Sequence, residues 1–308
     1  MKHDRKCDIC GGPLEVDRSA ERLAWEAHTR EEFVTRRLGH RPEELEAMDL
    51  TRFMHGEPAR LLVCRHCGLL VREEPGRAEY ESDLYDPVLM NHLYPRYLRA
   101  FEEKKRSYKK LLRPGAEVVE LGSHLGAFLE AAENWGWRPV GLDIGASTSA
   151  FARKRGGLVR RATLEAYSPH LRKPEAVFIW NCFEQLEDPN QTLIRAHELL
   201  DRHGLIVLRV PNAGFYRRQR REFDGRRPHR ALNSLAYNNL LGFPYLRGYD
   251  EQSIKRLLRL NDFEPIQARG ASLLTPPYPQ MSRRISEEWR QARQGSPWIE
   301  VVGRRKTG

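Results

Sequence analysis

From residue 117 onward the chain alternates short apolar runs with longer stretches in which apolar residues return every three or four positions. EVVEL (117–121), PVGLDI (139–144), GLVRR (157–161), AVFIW (176–180) and LIVLRV (205–210) are short runs rich in branched side chains, which predicts strands. After the first of them, Leu125, Phe128, Leu129 and Ala132 fall on one face, which predicts an amphipathic helix. Most of the later strands are separated by similar patterns. Such alternation builds an α/β fold, a parallel sheet with helices on both faces. Ligands of these sheets sit outside the carboxyl ends of the strands.

Upstream the pattern differs. A helix is predicted from about Tyr94 to Leu112, closed by Pro114 and Gly115, within a stretch that carries tyrosines at 80, 85, 94, 97 and 108. Earlier still, Leu23, Ala27, Val34 and Leu38 make an apolar stripe, and Pro42 opens a second helical segment, RPEELEAMDLTRFMHG.

KCDICGGPLE and LVCRHCGLLV flank that region, and each reads as a short strand, a CxxC turn closed by glycine, and a second strand. Thiolates three positions apart in a tight turn reach one metal together, so two such turns supply the four sulfurs of a closed structural zinc site. The expected ligands are Cys7, Cys10, Cys64 and Cys67, with 53 residues between Cys10 and Cys64. A reducing cytoplasm, where disulfides are disfavoured, fits this use of cysteine. No stretch approaches the ~20 apolar residues of a membrane span, and the N-terminus lacks the apolar core of a signal peptide, so the expected address is cytoplasmic with no membrane partner.

The 308 residues carry a formal charge of +10, unevenly spread. Residues 1–70 hold 12 basic and 13 acidic side chains, whereas residues 213–248 hold eight arginines against Glu222 and Asp224. Nucleic acid as a partner is disfavoured by the slightly acidic cysteine region, though not excluded. Only 10 of the 52 basic residues are lysines, so a general arginine bias competes with any functional reading of the local charge.

VVELGSHLGAFLEAA (118–132) runs from a strand through glycines into a helix. Counted from Gly122, a dinucleotide fingerprint needs glycines where His124 and Ala127 stand, so that reading fails. What remains is E-x-G-x-x-x-G followed by Asp143 at the end of the second strand, placed to accept both hydroxyls of a ribose.

These features resemble the class I S-adenosylmethionine-dependent methyltransferases. VVELGSHLGAFL looks like that family's first motif and GLDI like its second. FIWNCFEQLEDPNQTLIRAHELLDRHGLIVLRVPN is similar to the stretch around its fourth and fifth strands. The resemblance implies a Rossmann-like seven-stranded sheet, with GYDEQSIKRLLRLNDFEPIQ as a helix and strand and PWIEVVGRR as the antiparallel seventh strand. It implies S-adenosylmethionine as cofactor, bound by Glu120, Gly122, Ser123, Gly126, Asp143, Ile144, Thr163, Leu164, Asn181, Cys182 and Phe183. Glu120 could equally cap the following helix, and strand-end residues such as Leu164 could be core. His124 is expected to face solvent from the loop, with contact to cofactor or substrate as the other reading. Family members often carry a histidine after the glutamate in CFEQLEDP; Gln185 stands there, and no catalytic base is named. Tyr85, His92, His229 and Tyr245 are weighed only because their segments border the expected pocket.

A module of two CxxC pairs ahead of such a domain, followed by EYESDLYDP, is similar to the arrangement in bacterial deoxysugar C-methyltransferases. The implied organisation is a small zinc-ribbon module with a helical insert (1–79), a connecting helical segment (80–112) and a methyltransferase domain (113–308) with a substrate-side insert at 212–248. Seven arginines between 217 and 230 suit an anionic acceptor, a sugar or secondary metabolite held by Tyr85, Arg226, Arg227, Arg230 and Tyr245. A solvated charge run is the bland alternative. At the level of function, an RNA methyltransferase with a zinc ribbon and a noncatalytic zinc-containing adaptor stay open.

Overall fold

The computed structural model describes residues 2–17, 61–73, 87–169, 172–225, 246–271 and 295–307. The expected helices between the cysteine pairs, and the candidate substrate residues Tyr85, Arg226, Arg227, Arg230 and Tyr245, together with His229, lie outside them.

Two sheets organise the chain. The larger is assembled from β5 (Glu117–Leu121), β6 (Arg138–Leu142), β7 (Val159–Arg160), β8 (Ala176–Trp180), β9 (Leu205–Pro211), β11 (Phe263–Ala271) and β12 (Trp298–Arg305), in the order β11-β12-β9-β8-β5-β6-β7. The pairs β5–β6, β5–β8, β6–β7 and β8–β9 are parallel. β12 runs antiparallel to both β9 and β11, as the last apolar run was expected to do. All five residues of β8 are buried, because period-two alternation sends Val177 and Ile179 to one face and Phe178 and Trp180 to the other. Phe178 and Trp180 meet an aromatic layer with Phe101, Phe128 and Trp137.

That layer is closed by α1 (Pro87–Tyr108) and α2 (Ala127–Asn134). α1 starts seven residues before the predicted Tyr94, because Pro95 does not open it. Both Pro95 and Asn91, whose carbonyl loses its intrahelical donor, are exposed, so the outer face tolerates the missing hydrogen bond. α3 (Ala146–Lys154) follows β6, α4 (Pro189–Leu199) joins β8 to β9, and α5 (Ala213–Asp224) follows β9. α6 (Glu251–Leu260) is opened by a reciprocal cap between Asp250 and Ser253.

The smaller sheet has the order β1-β2-β3-β4-β10, from β1 (Lys2–Lys6), β2 (Pro13–Val16), β3 (Leu61–Cys64), β4 (Leu70–Arg72) and β10 (Arg247–Gly248). Its fifth strand thus comes from the segment after β9. Ile9, Leu14, Leu62, Leu69 and Val71 belong to the same buried cluster as Leu193 of α4 and Ile254 of α6, so the two sheets share a core. Arg217 of α5 donates to the Gly68 carbonyl at 2.7 Å and pairs with Asp250 at 2.5 Å, and Arg220 pairs with Asp17. Two arginines of the basic run are therefore used in docking the small sheet.

Candidate functional site

β5 delivers the chain to the glycine loop at the carboxyl edge of the parallel strands. The Gly122 and Ser123 amides donate to the Leu142 carbonyl at 2.8 and 3.0 Å, which pins the loop across the end of β6. Gly122 has φ +75°, and a Cβ there would lie 2.8 Å from both Cβ and Sγ of Cys182. Only glycine fits. Gly126 is also left-handed at φ +76°, but the space beside it is taken by Ala152, 2.8 Å from a would-be Cβ. The absent side chain at 126 lets α2 and α3 approach one another, where the sequence suggested ligand access.

Asp143 sits just past β6, and both its oxygens accept hydrogen bonds. Oδ2 takes the His124 amide at 2.7 Å; Oδ1 takes the Gly145 amide and the Thr148 hydroxyl, both at 2.9 Å. One carboxylate thus fixes the glycine loop and the start of α3 together. The remaining lone pairs still admit further donors.

Glu120 is 3% exposed, and its Oε2 is buried without a hydrogen-bond partner among the described residues. Burial pushes its pKa well above the usual carboxylate range, and the charge of Asp143 adds to the shift. His124 does not face solvent as expected. At φ +48° its half-buried ring stands edge-on to Tyr97, with centroids 5.8 Å apart, because α1 covers the loop. Burial lowers its pKa, against the pull of Asp143.

The end of β8 forms the opposite wall. Asn181 is left-handed at φ +53°; its Oδ1 accepts from Arg209, and its carbonyl accepts from the Gln185 amide at 2.8 Å. The Cys182 thiol lies against Gly122, and burial pushes its pKa up. Other expected residues stand apart from this group. Phe183 and Leu164 are fully buried core, Phe183 tilted against Tyr249 at 5.6 Å. The Thr163 hydroxyl accepts the Ala166 amide at 3.4 Å, Ser123 packs against Gly141, and Ile144 is 48% exposed. Of the weighed bases, His92 is exposed, beside Arg96.

Sequence reasoning passed over two groups here. Glu184, in the loop after β8, is 0% exposed, and neither carboxylate oxygen accepts a hydrogen bond from another residue among those described. Burial pushes its pKa up to about 8, with Arg209 pulling the other way. Its position inside CFEQLEDP, an acid directly after Phe183 at a strand end, was the available signal. Arg209 of β9 is fully buried over the Trp298 ring, 4.2 Å from its centroid, and its ion pair with Glu300 spans 3.7 Å. Glu300 also accepts from Lys104, from Tyr108 at 2.6 Å and from Arg269 at 2.8 Å. A lone polar position inside an apolar strand gives no hint of partners so distant in sequence.

The small sheet holds a second constellation. The four sulfurs of Cys7, Cys10, Cys64 and Cys67 lie within 4.8 Å of one another, with Cys7–Cys67 and Cys10–Cys64 each 3.4 Å apart. Sulfurs at the corners of a zinc tetrahedron stand about 3.8 Å apart, so the cluster has the size of such a site. The two turns are built alike. Gly11 N–H returns to the Cys7 carbonyl at 2.9 Å and Gly68 N–H to the Cys64 carbonyl at 2.8 Å, each glycine at positive φ. The hydrogen bond with Cys67 holds the Cys7 thiol below the ordinary range for a cysteine.

The methyltransferase-domain family profile matches residues 89–268, more than half of the chain. The chain belongs to that family. The methyltransferase is also similar to a chain in a complex containing the Haloferax volcanii Trm112 methyltransferase activator. That likeness has 15% identity and a TM-score of 0.52, and it covers 72% of this chain and 95% of that one. A SAM-dependent methyltransferase from Thermotoga maritima matches at 16% identity and TM-score 0.47 over 70% and 94% of the two chains. Magnesium protoporphyrin IX methyltransferase from Synechocystis matches at 14% and 0.44 over 72% and 89%. No curated protein matches. The first of these likenesses supports the Rossmann-like fold read from the sheet order. No helix among the described residues is long and apolar enough to cross a membrane.

Proposed function

We propose that this methyltransferase binds S-adenosylmethionine at the loop after β5, methylates a small anionic acceptor of sugar or secondary-metabolite type, and carries one structural zinc. The observation that supports the cofactor's place is Asp143, ordered by three donors at the strand ends beside Gly122. The buried Oε2 of Glu120, without a partner among the described residues, suits a cationic amino group nearby. Of the expected set, Glu120, Gly122, Asp143, Asn181 and Cys182 form the core of this reading. Ser123, Gly126, Ile144, Thr163, Leu164 and Phe183 support or flank it.

S-adenosylmethionine supplies a methyl group already activated on a sulfonium. The protein's task is to align the acceptor and exclude water. A base is needed only when the acceptor loses its proton before attack. Glu184, buried and with no other described residue donating to its carboxylate, is the group we assign to receive it. The anionic acceptor follows from Arg226, Arg227 and Arg230, with Tyr85 and Tyr245 as further contacts. The thiol tetrad supports zinc by its donor set and size, and a closed four-sulfur site leaves no position for catalysis. The division at residues 79 and 112 and the cytoplasmic address belong to the same reading.

Calorimetric titration with S-adenosylhomocysteine tests the central assignment. Asp143→Ala is expected to weaken binding by about 1–3 kcal/mol, the scale of hydrogen bonds to a charged group. Unchanged affinity in a folded variant would remove Asp143 from the site.

A further inference from the structure

Arg247 joins parts of the molecule that are distant in sequence. It is 6% exposed and opens β10, where it pairs with Val71 of β4. Its Nε and Nη2 both reach Asp8 Oδ2 at 2.8 Å. Nη1 donates to the Leu186 carbonyl at 2.5 Å, and Nη2 also donates to the Glu187 carbonyl at 2.9 Å. One planar guanidinium thus holds the Cys7–Cys10 turn, in which Asp8 lies, and the loop after β8, in which Glu184 lies. The neighbouring backbone repeats the connection: Leu246 N–H donates to the Glu184 carbonyl at 2.9 Å, and Arg72 N–H donates to the Leu246 carbonyl at 2.8 Å.

We propose that Arg247 is a positioning residue that transmits the geometry of the four-cysteine turn, through Asp8, to the pocket loop 181–188. The proposal rests on the reading that this loop borders the cofactor and acceptor. Its physical content is geometric. Asp8 is fixed by the turn whose ends are the ligands Cys7 and Cys10, and the rigid fork of an arginine carries that placement to two carbonyls, where a lysine would offer only a point charge. A side chain that merely stabilised the fold would alter melting and leave ligand affinity of the folded protein unchanged.

The test uses the full chain and S-adenosylhomocysteine as probe, with Arg247→Lys, Arg247→Ala and Asp8→Asn. Metal content and the melting curve establish that each variant is folded with its cysteine site intact. Asp8 is exposed, and its asparagine variant leaves every bond from Arg247 to the loop carbonyls available, so it isolates the link. Amide hydrogen exchange is expected to quicken across 182–188 in all three variants and to stay unchanged in 118–121. Affinity for S-adenosylhomocysteine is expected to fall roughly two- to thirtyfold, the range of energetic coupling through such networks. Asp8→Asn with wild-type exchange in 182–188 and wild-type affinity would overturn the relay. Should the wild type fail to bind S-adenosylhomocysteine, the cofactor reading falls, and the exchange measurement alone decides the relay.

Discussion

Glu184 carries a pH signature that can be read without an acceptor. Its pKa lies near 8 in the folded protein against an ordinary 4.5, so between those values the folded state holds a proton that the unfolded chain has released. The resulting stability is complete below about 4.5 and is lost as pH rises through about 8. Glu184→Gln is expected to flatten this decline, measured as unfolding free energy against pH. Once the acceptor is identified, kcat/KM of the wild type is expected to climb to a plateau above pH 8 as the base form accumulates, and the glutamine variant to lose that limb. Gly122 offers a sharper steric test. Gly122→Ala meets Cys182 atoms at 2.8 Å and strains a φ of +75°, which predicts a loss of about 1–3 kcal/mol in stability. Adding Cys182→Gly is expected to recover the steric part and leave the backbone strain.

Between elements, α1 is tied to β12, the strand next to the edge strand β11, by Glu300. Burial alone would raise the pKa of this carboxyl, yet Lys104, Arg269 and Arg209 outweigh it and hold it at about 2. Its contribution is therefore present above about 4.5 and lost as pH falls through about 2. Glu300→Ala leaves those cations facing one another and is expected to cost about 3–5 kcal/mol in chemical unfolding. The parallel strands were legible from their apolar runs, because β8 is buried on both faces and reads as an unbroken hydrophobic stretch, and β5 keeps an apolar centre between Glu117 and Glu120. The glycine loop was legible too, since the turn demands residues that few other places require. Arg209 and Glu300 were not: each is a charged position between apolar neighbours, and their pairing depends on β12 entering beside β9. For Gly126 the spacing could not say which neighbour fills the room a glycine leaves, and the structure shows Ala152 there. His124 was misread because the loop pattern carries no trace of Tyr97, which belongs to another element. Glu184 was overlooked beside Gln185, whose departure from the resembling family drew the comparison.

For the whole molecule, the cysteine module and the methyltransferase sheet share one buried cluster, so damage to one is expected to reach the other. Cys64→Ser, or removal of metal by a chelator, is expected to abolish a stoichiometric zinc signal and to lower the melting temperature of the entire chain in one transition. Two separated transitions would show the sheets to be independent. The topology has a further consequence for how the protein is made. β4 waits for β10, and β12 enters last of the described strands, between β9 and β11 that are already synthesised. A nascent chain therefore carries an unpaired β4 edge until β10 emerges and an open place beside β9 until β12 emerges. The larger sheet closes only once β12 is made, so a chain truncated before residue 298 is expected to remain a substrate for chaperones and proteases.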